Sequence, residues 1–351
     1  MLVATVILNW NTRNYLREFL PGLLLSCRAL GCDENGDPKA GVFVADNASE
    51  DGSAELVKTE FPEVGLIRFD RNYGFTGGYN KALAEIDADY YVLVNSDIDV
   101  PEGWLRPLVD WMASHPECAI CGPKLHALFS EGAAYRRSDN FEYAGAAGGY
   151  IDSFGYPFCR GRVLKRVEKD FGQYDEPCDV LWVSGACLMV RRNAWRELGG
   201  FDERFFAHME EIDLCWRAAR KGWKVTVVPE SVVYHLGGGT LPAESPFKLE
   251  LNYRNNLLLL ENNAGSNVLL FARKLLDGCS ALVYLLSGRA ASFRAVARAH
   301  SAYRKLSAGV DRTSRPLGGK AGAMRRLCIL PLAAVKGKGI FKYLKQYEDC
   351  H

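Results

Sequence analysis

Three short apolar runs occur in the first hundred residues, and each ends in a group of polar side chains. The runs are 3–8, 42–45 and 90–94, and their length and β-branched content are typical of buried parallel strands. A segment with helical spacing, 15–30, separates the first two. Strand, helix and strand in this order predict right-handed crossovers. We therefore expect an α/β fold, with helices on both faces of a mostly parallel sheet.

The polar groups that follow these strands are candidates for chemistry. Asn9 follows the first strand, Asp46 the second, and Asn95, Asp97 and Asp99 the third. Because the carboxyl ends of parallel strands meet at one sheet edge, we expect these side chains to lie close together. Carboxylate oxygens are suitable ligands for Mg²⁺ or Mn²⁺, which then bridge to a diphosphate. For any single Asp, a helix cap in a solvated loop is the alternative.

Two further segments are expected near that edge. Asn72 and Gly74 lie in a Gly-rich loop that precedes a predicted helix at 81–86. Backbone N–H groups at the start of such a helix favour binding of a phosphate. A plain tight turn explains the loop equally well. Residues 122–178 have no regular pattern and predict an irregular excursion that covers the site, followed by a strand at 180–190.

The next candidates lie in the second half of the chain. Glu210 and Glu211 fall in the first turn of a predicted helix, where they are either a structural cap favoured by the helix dipole or a general base. His235 follows an apolar strand and precedes three glycines, so the residues alone favour a structural histidine in a turn.

The composition is that of an ordinary globular protein, with 48% hydrophobic and 24% charged residues. No segment supplies the roughly 18 uninterrupted apolar residues of a membrane span. The first residues have a strand pattern rather than that of a signal peptide, and 11 cysteines, most of them in apolar runs, suit a reducing compartment. A single CxxC, Cys118 to Cys121, has no second pair at zinc spacing. We expect a cytoplasmic protein.

The net charge of +1 conceals a basic tail. Residues 289–351 contain 14 lysines and arginines against 3 acidic residues, and the segments 267–286 and 327–341 carry apolar residues broken by basic ones. Helices of this kind lie on anionic membrane surfaces, so we expect peripheral attachment at the inner face of the cell membrane. The alternatives are packing on the rest of the chain or a homodimer interface. No nucleic-acid partner is expected.

Six ordered motifs carry a family resemblance that covers about residues 1–262. The chain resembles the family 2 inverting glycosyltransferases with the GT-A fold, and among them the rhamnosyltransferase-like members that build bacterial surface polysaccharides. The motifs are Asp46 to Ser53, Arg71 to Gly74, Asn95 to Asp97, Trp182 to Ala186, Glu210 to Leu214, and His235 to Gly238. The resemblance implies a catalytic domain at 1–262 and a helical, basic C-terminal region at 263–351.

The resemblance also assigns roles to the donor-side residues. Asn9 and Asp46 are expected to hold the nucleoside of a nucleotide-diphosphate sugar. Asn72, Gly74, Asn95 and Trp182 are expected to contact the rest of that donor. The family's D-x-D motif maps onto Asn95, Ser96 and Asp97, so an Asn stands where many relatives have the first Asp.

Metal and catalytic roles follow in the same way. Asp97, Asp99 and His235 are expected to bind Mg²⁺ or Mn²⁺. For His235, this implied metal role takes precedence over the structural role that its neighbouring residues alone favour. Many relatives have Glu-Asp at the helix mouth, whereas this chain has Glu210 and Glu211. Glu211 occupies the position of the base, and Glu210 remains the alternative.

The expected function is transfer of a sugar, with L-rhamnose as a candidate, to a glycan or lipid-linked glycan acceptor. A nucleotidyltransferase of sugar phosphates would also use a nucleotide-binding sheet and acidic metal ligands, but it has no use for Glu211. A non-catalytic glycan-binding protein is the third alternative.

Overall fold

The computed structural model describes residues 2–32, 34–36, 38–132, 134–237, 245–308, 324–325 and 327–349. Its strands are β1 (Val3–Asn9), β2 (Ala40–Asp46), β3 (Gly65–Arg68), β4 (Tyr90–Val94), β5 (Ile98–Asp99), β6 (Cys118–Glu131), β7 (Ala134–Phe141), β8 (Gly149–Asp152), β9 (Pro157–Cys159), β10 (Arg162–Val163), β11 (Arg166–Val167), β12 (Cys178–Asp179), β13 (Cys187–Arg191), β14 (Lys224–His235) and β15 (Met324–Arg325). Its helices are α1 (Arg13–Arg28), α2 (Ser53–Glu60), α3 (Gly74–Glu85), α4 (Leu105–Ser114), α5 (Arg192–Leu198), α6 (Glu210–Arg220), α7 (Pro246–Asn263), α8 (Asn267–Leu286), α9 (Ala290–Ser307), α10 (Ile329–Lys336) and α11 (Ile340–Asp349).

The large sheet has the order β12-β14-β6-β13-β4-β1-β2-β3, with β5 paired to β14 and β7 paired to β6. Strands β3, β2, β1 and β4 are parallel neighbours, and β14 is parallel to β6. Strand β13 runs antiparallel between β4 and β6. The expected α/β fold is confirmed, and its parallel half aligns the carboxyl ends of β1, β2 and β4.

Strand β4 shows why helices cover both faces of this sheet. Successive side chains of a strand point to opposite faces. Tyr90, Val92 and Val94 therefore join a core with residues of α1, α2 and α4, whereas Tyr91 and Leu93 join a core with residues of α3, α5 and α6. Because all five residues are buried, the strand has an uninterrupted apolar sequence.

The prediction of an irregular excursion at 122–178 is wrong. This stretch contains much of β6, β7 and the strands of a second sheet, which has the order β11-β10-β9-β8-β15. Four of the strands in that sheet have only two or three residues. Elements of this length leave no recognisable periodicity, and β15 reaches the sheet from the far end of the chain.

Other boundaries also differ from the prediction. Helix α3 begins at Gly74 rather than at residue 81, and the strand expected at 180–190 is limited to Cys187–Arg191. Cys118 and Cys121 lie buried inside β6 as free thiols, so the CxxC spacing reflects an interior strand.

The C-terminal elements pack on the rest of the fold. Ile329 and Ala333 of α10 and Ile340 and Leu344 of α11 belong to the same hydrophobic core as the helices beside β4. The buried carboxylate of Asp152 accepts the backbone N–H of Ile329 at 2.9 Å, which fixes the start of α10 to the second sheet. Among the described residues, no helix is long and apolar enough to cross a membrane.

Candidate active site

A buried carboxylate lies where β1 and β2 end. Asn9 Nδ2 donates to Asp46 Oδ1 at 2.8 Å and to Ser49 Oγ at 2.9 Å. Ser49 N–H donates to the second Asp46 oxygen at 3.2 Å, and Thr12 Oγ1 donates to Asn9 Oδ1 at 2.5 Å. Both Asn9 and Asp46 are fully buried. These bonds fix the orientation of Asp46 at the sheet edge.

Two asparagines shape the adjacent Gly-rich loop. Asn47 Nδ2 donates to Asn72 Oδ1 at 2.9 Å and to the Gly74 carbonyl at 3.0 Å, while its own oxygen accepts the Tyr73 N–H at 2.9 Å. Asn72 Oδ1 also accepts the Gly74 N–H at 2.8 Å. The loop expected to contact the nucleotide is therefore held by the residue that follows Asp46.

Gly74 allows this loop to approach the segment before α6. Its φ is +72°, and a Cβ there would lie 2.5 Å from the Phe206 ring. The Phe206 carbonyl accepts the N–H groups of Phe75 at 2.8 Å and Thr76 at 3.3 Å. The N–H groups of Phe75 and Thr76 are therefore not free to bind a phosphate, contrary to the expectation for the start of this helix.

Asp97 and His235 come together although they are far apart in the chain. His235 Nε2 lies 3.2 Å from Asp97 Oδ1, and its Nδ1 lies 3.4 Å from Glu142 Oε1. Burial alone would lower the pKa of His235, but Glu142 and Asp97 outweigh burial and raise the pKa to about 10. Burial also opposes ionisation of Asp97, yet the neighbouring His235 lowers its pKa.

This cluster has the donor types that a divalent cation requires. Two carboxylates face one imidazole, and all three groups are less than a tenth exposed. Within the described ranges, no group of three or more His, Cys, Asp or Glu is arranged as a complete metal site. Asp97 and His235 offer one carboxylate and one imidazole, so an ion held there would take its other ligands from substrate oxygens, as Mg²⁺ and its analogues commonly do.

The structure places Asp99 away from this cluster. Its two carboxylate oxygens accept Arg137 Nε at 2.6 Å and Nη2 at 3.0 Å. The same guanidinium lies over the Tyr234 ring, 4.9 Å from its centroid. A carboxylate held by both oxygens in a bidentate ion pair is not a free ligand. We therefore propose Asp97 and His235, without Asp99, as the residues that would hold the metal.

Helix α6 begins with the two glutamates, after an unusual backbone. Phe206, His208 and Met209 all have positive φ, between 64° and 70°. Left-handed non-glycine residues cost free energy and cluster at functional sites. Glu210 is 4% exposed, whereas Glu211 is partly open to solvent. Only Glu211 is therefore placed to meet a substrate.

The two carboxyl groups differ in their ionisation. Burial raises the pKa of Glu211 to about 7, although backbone N–H groups, including that of Gly185, favour the charged form. Burial, together with the charge of Glu211, raises the pKa of Glu210 well above its usual range. Glu211 thus titrates near neutral pH, as a general base requires, and the protonated form of Glu210 is favoured beside it.

Residues 184–186 connect this base to the turn after β4. A side chain at Gly185 would lie 3.3 Å from Glu211 Cβ, so the helix mouth packs directly on this segment. The next residue, Ala186, accepts the Asn95 N–H at 2.9 Å. Asn95, whose side chain is partly exposed, therefore links the Glu211 region to Asp97.

A family model matches the part of the chain that contains Asp46, Asn72 and Asp97. Residues 5–199 match the model described as "Glycosyl transferase family 2", which is more than half of the chain. The chain belongs to glycosyl transferase family 2. It is 27% identical over 245 residues to the N-acetylglucosaminyl-diphospho-decaprenol L-rhamnosyltransferase of Mycobacterium tuberculosis, covering 67% of this chain and 76% of the relative.

Solved glycosyltransferases share the fold at low sequence identity. GalNAc-T7, crystallised with UDP, GalNAc and Mn²⁺, has a TM-score of 0.56 at 16% identity; the match covers 75% of this chain and 48% of that protein. The mannosyltransferase PcManGT of Pyrobaculum calidifontis, solved with GDP-Man and Mn²⁺, has a TM-score of 0.50 at 14% identity and covers 99% and 84%. The GT-A fold is thereby confirmed for this glycosyltransferase.

Trp182 does not line the donor site of the glycosyltransferase. Its indole is 2% exposed and donates from Nε1 to the Tyr150 carbonyl at 3.1 Å. A Cβ at Gly149 would lie 2.4 Å from its ring, so the indole fills the space between the two sheets. We correct its role from donor contact to packing.

Three residues near the glycosyltransferase site had no assigned role in the sequence. Asn47 organises the Gly-rich loop, and its position directly after Asp46 was the available signal. Asn255 of α7 donates to the carbonyls of Phe205, Ala207 and His208 at 2.7–3.1 Å, which holds the strained segment before Glu211. Glu142 has no sequence signal, because only the fold brings it to His235.

Proposed function

We propose that this glycosyltransferase inverts the anomeric carbon in a single in-line displacement by an acceptor hydroxyl. The observation that carries the proposal is Glu211, a partly exposed residue whose carboxyl has a pKa of about 7 and whose side chain packs on Gly185 beside the turn that leads to Asp97. A base of this pKa removes a proton effectively near neutral pH. A single displacement forms no covalent intermediate, so one such carboxylate suffices.

On the acceptor side, Glu211 accepts the hydroxyl proton as the oxygen attacks the anomeric carbon. Glu210 remains neutral beside it, because a second buried carboxylate at this position would carry like charge. The Gly185 N–H and the Asn255 amide hold the helix mouth in place before any substrate binds. This preorganisation lowers the cost of orienting the base.

On the donor side, Asp97 and His235 would hold Mg²⁺ or Mn²⁺. When bound, such an ion stabilises the charge that develops on the diphosphate leaving group. Glu142 Oε1 lies 3.4 Å from the other imidazole nitrogen, so it would orient the ring, as carboxylates commonly do for metal-binding histidines. The choice between the two metals rests on affinity measurements.

The nucleoside part of the donor would bind at the ends of β1 and β2. In this proposal Asp46, whose orientation Asn9 fixes, accepts an N–H of a pyrimidine base. Asn72 and Gly74 would lie against the nucleotide, in a loop shaped by Asn47.

We propose L-rhamnose as the first sugar to test, and a lipid-linked glycan as the acceptor. The Mycobacterium tuberculosis relative is an L-rhamnosyltransferase whose named acceptor is a diphospho-decaprenol, and this supports both choices. In this proposal residues 1–262 form the catalytic unit, residues 263–351 meet an anionic membrane surface or a second copy, and the enzyme works at the cytoplasmic face.

The test is a donor screen with the purified full chain. Nucleotide sugars of uridine, guanosine and deoxythymidine diphosphate are incubated with and without Mn²⁺, and release of the nucleotide is measured. Turnover of one donor that needs a divalent cation, with an inverted product by NMR, supports the proposal. A retained configuration, release of sugar 1-phosphate, or binding without turnover would each contradict it.

A further inference from the structure

Helix α8 carries a continuous stripe of exposed apolar side chains, which we name the α8 face. At 3.6 residues per turn its members fall within an arc of about 80°. The two at its ends, Val268 and Leu286, are 80% and 79% exposed. The α8 face consists of Val268, Phe271, Leu275, Cys279, Leu282 and Leu286. An apolar stripe of this length on a protein surface marks an interaction site.

The polar side of α8 is the side that faces the protein. Arg273 and Asp277 are buried there, with Arg273 Nε donating to Asp277 Oδ1 at 2.9 Å. His300 of α9 lies 3.1 Å from the other oxygen of Asp277, and the Arg273 guanidinium lies 3.9 Å from the centroid of the Tyr156 ring. These contacts fix the rotation of α8, so its apolar side is directed outward.

The exposed charges of the chain segment that carries the α8 face are all positive. From Ala264 to Ala308 the chain has seven lysines and arginines and one acidic residue, Asp277, which is fully buried and pairs with the buried Arg273, while Arg298 pairs with Glu250 of α7. Arg289, at the end of α8, and Arg294 of α9 are both exposed. Two copies that met through this surface would bring like charges together. An anionic lipid surface complements both the apolar stripe and the cations.

We propose that the α8 face is a membrane-docking surface that lies flat in the headgroup region of an anionic bilayer. Its apolar residues would enter the acyl boundary while the arginines contact lipid phosphates. The surface is assigned to α8 rather than to α10 and α11, because apolar residues of those helices already pack in the core. The inference rests on the proposed function only for its purpose, which is to bring the active site to a lipid-linked acceptor.

Vesicle sedimentation of the full chain tests this inference. Wild-type protein is expected to pellet with phosphatidylcholine vesicles that contain phosphatidylglycerol, to remain in solution with pure phosphatidylcholine, and to be released by salt. The double variant Leu282→Ser/Leu286→Ser should bind at least about tenfold more weakly, because two large apolar side chains no longer enter the lipid.

A matched control changes apolar residues of comparable exposure outside the C-terminal region. Leu25 and Phe171 are 64% and 80% exposed, against 54% and 79% for Leu282 and Leu286, and Leu25→Ser/Phe171→Ser should bind as wild type does. Equal binding by both double variants would overturn the inference. It would also be overturned if the α8 variant converted a dimer to a monomer in light scattering without losing vesicle binding.

The inference and the proposed function can fail separately. Turnover of a nucleotide sugar without vesicles should be unchanged in the α8 variant, because α8 contributes no residue to the active site. A protein that pellets with anionic vesicles through the α8 face but turns over no donor sustains the docking surface and contradicts the proposed function. An active protein that binds neither kind of vesicle supports the proposed function and contradicts the docking surface.

Discussion

Replacing Glu211 by Gln should abolish transfer and, at the same time, stabilise the fold above neutral pH. Burial raises the pKa of Glu211 from 4.5 to about 7, which corresponds to at most ~3 kcal/mol of destabilisation once the group is charged. Glutamine removes the charge, but its amide N–H₂ takes the place of Oε2. Since Oε2 has no hydrogen-bond partner among the described residues, the buried amide would have none either, which costs about 1–2 kcal/mol. A net gain of about 1–2 kcal/mol is expected.

The pH dependence of this gain has a definite sign. Because the folded-state pKa lies above the unfolded value, wild-type stability falls relative to that of the variant as the pH rises towards and through about 7. Denaturant unfolding should therefore show a larger difference at about pH 8 than at about pH 5. Transfer by the wild type should decline below about pH 7, whereas Glu211→Gln should lose at least about 10²-fold at all pH values.

Glu210→Gln is the matched control, because its carboxyl is neutral at the same pH and glutamine resembles the neutral acid. We expect transfer within about tenfold of wild type and little change in stability. If Glu210→Gln were inactive and Glu211→Gln active, the assignment of the base would be wrong. A stability difference that does not change with pH would refute the electrostatic reasoning.

Three further comparisons, two of them with a matched control variant, test the remaining assignments. Asp97→Asn should abolish the Mn²⁺ dependence of donor affinity measured by calorimetry. Asp99→Asn should lower Tm and leave that dependence intact. If both variants changed the Mn²⁺ dependence equally, the proposed metal ligands would be wrong. Gly74→Ala should reduce transfer at least about tenfold, because the added Cβ clashes with Phe206 near the base. Gly31 also has a positive φ but open space around it, so Gly31→Ala should lower stability without lowering transfer. If Gly31→Ala lowered transfer to the same degree, backbone strain alone would explain the loss of activity. Trp182→Phe should lower the free energy of unfolding by about 1–3 kcal/mol, because the indole hydrogen bond is lost. The KM for the donor should not change. A raised KM would indicate that Trp182 contacts the donor after all.

Local patterns determined much of this molecule. The apolar run 90–94 predicted β4 to the residue, because every side chain in that strand is buried and the apolar sequence therefore continues along its whole length. Acidic residues at the start of α6 and polar residues after β1, β2 and β4 located the candidate site, because strand ends and helix starts can be recognised from sequence. The amphipathic character of 267–286 was equally evident, and α8 spans those residues.

Only the tertiary structure decided which of these groups meet. Asp97 and Asp99 are alike in sequence, yet one faces His235 and the other is held by Arg137, because Asp97 lies in the turn before β5 whereas Asp99 lies within β5, opposite Tyr234 of β14. Glu142 reaches His235 through a non-local pairing that periodicity does not encode. The same holds for α8, whose stripe is visible in sequence but is directed outward because the Asp277 cluster fixes its polar side inside the protein.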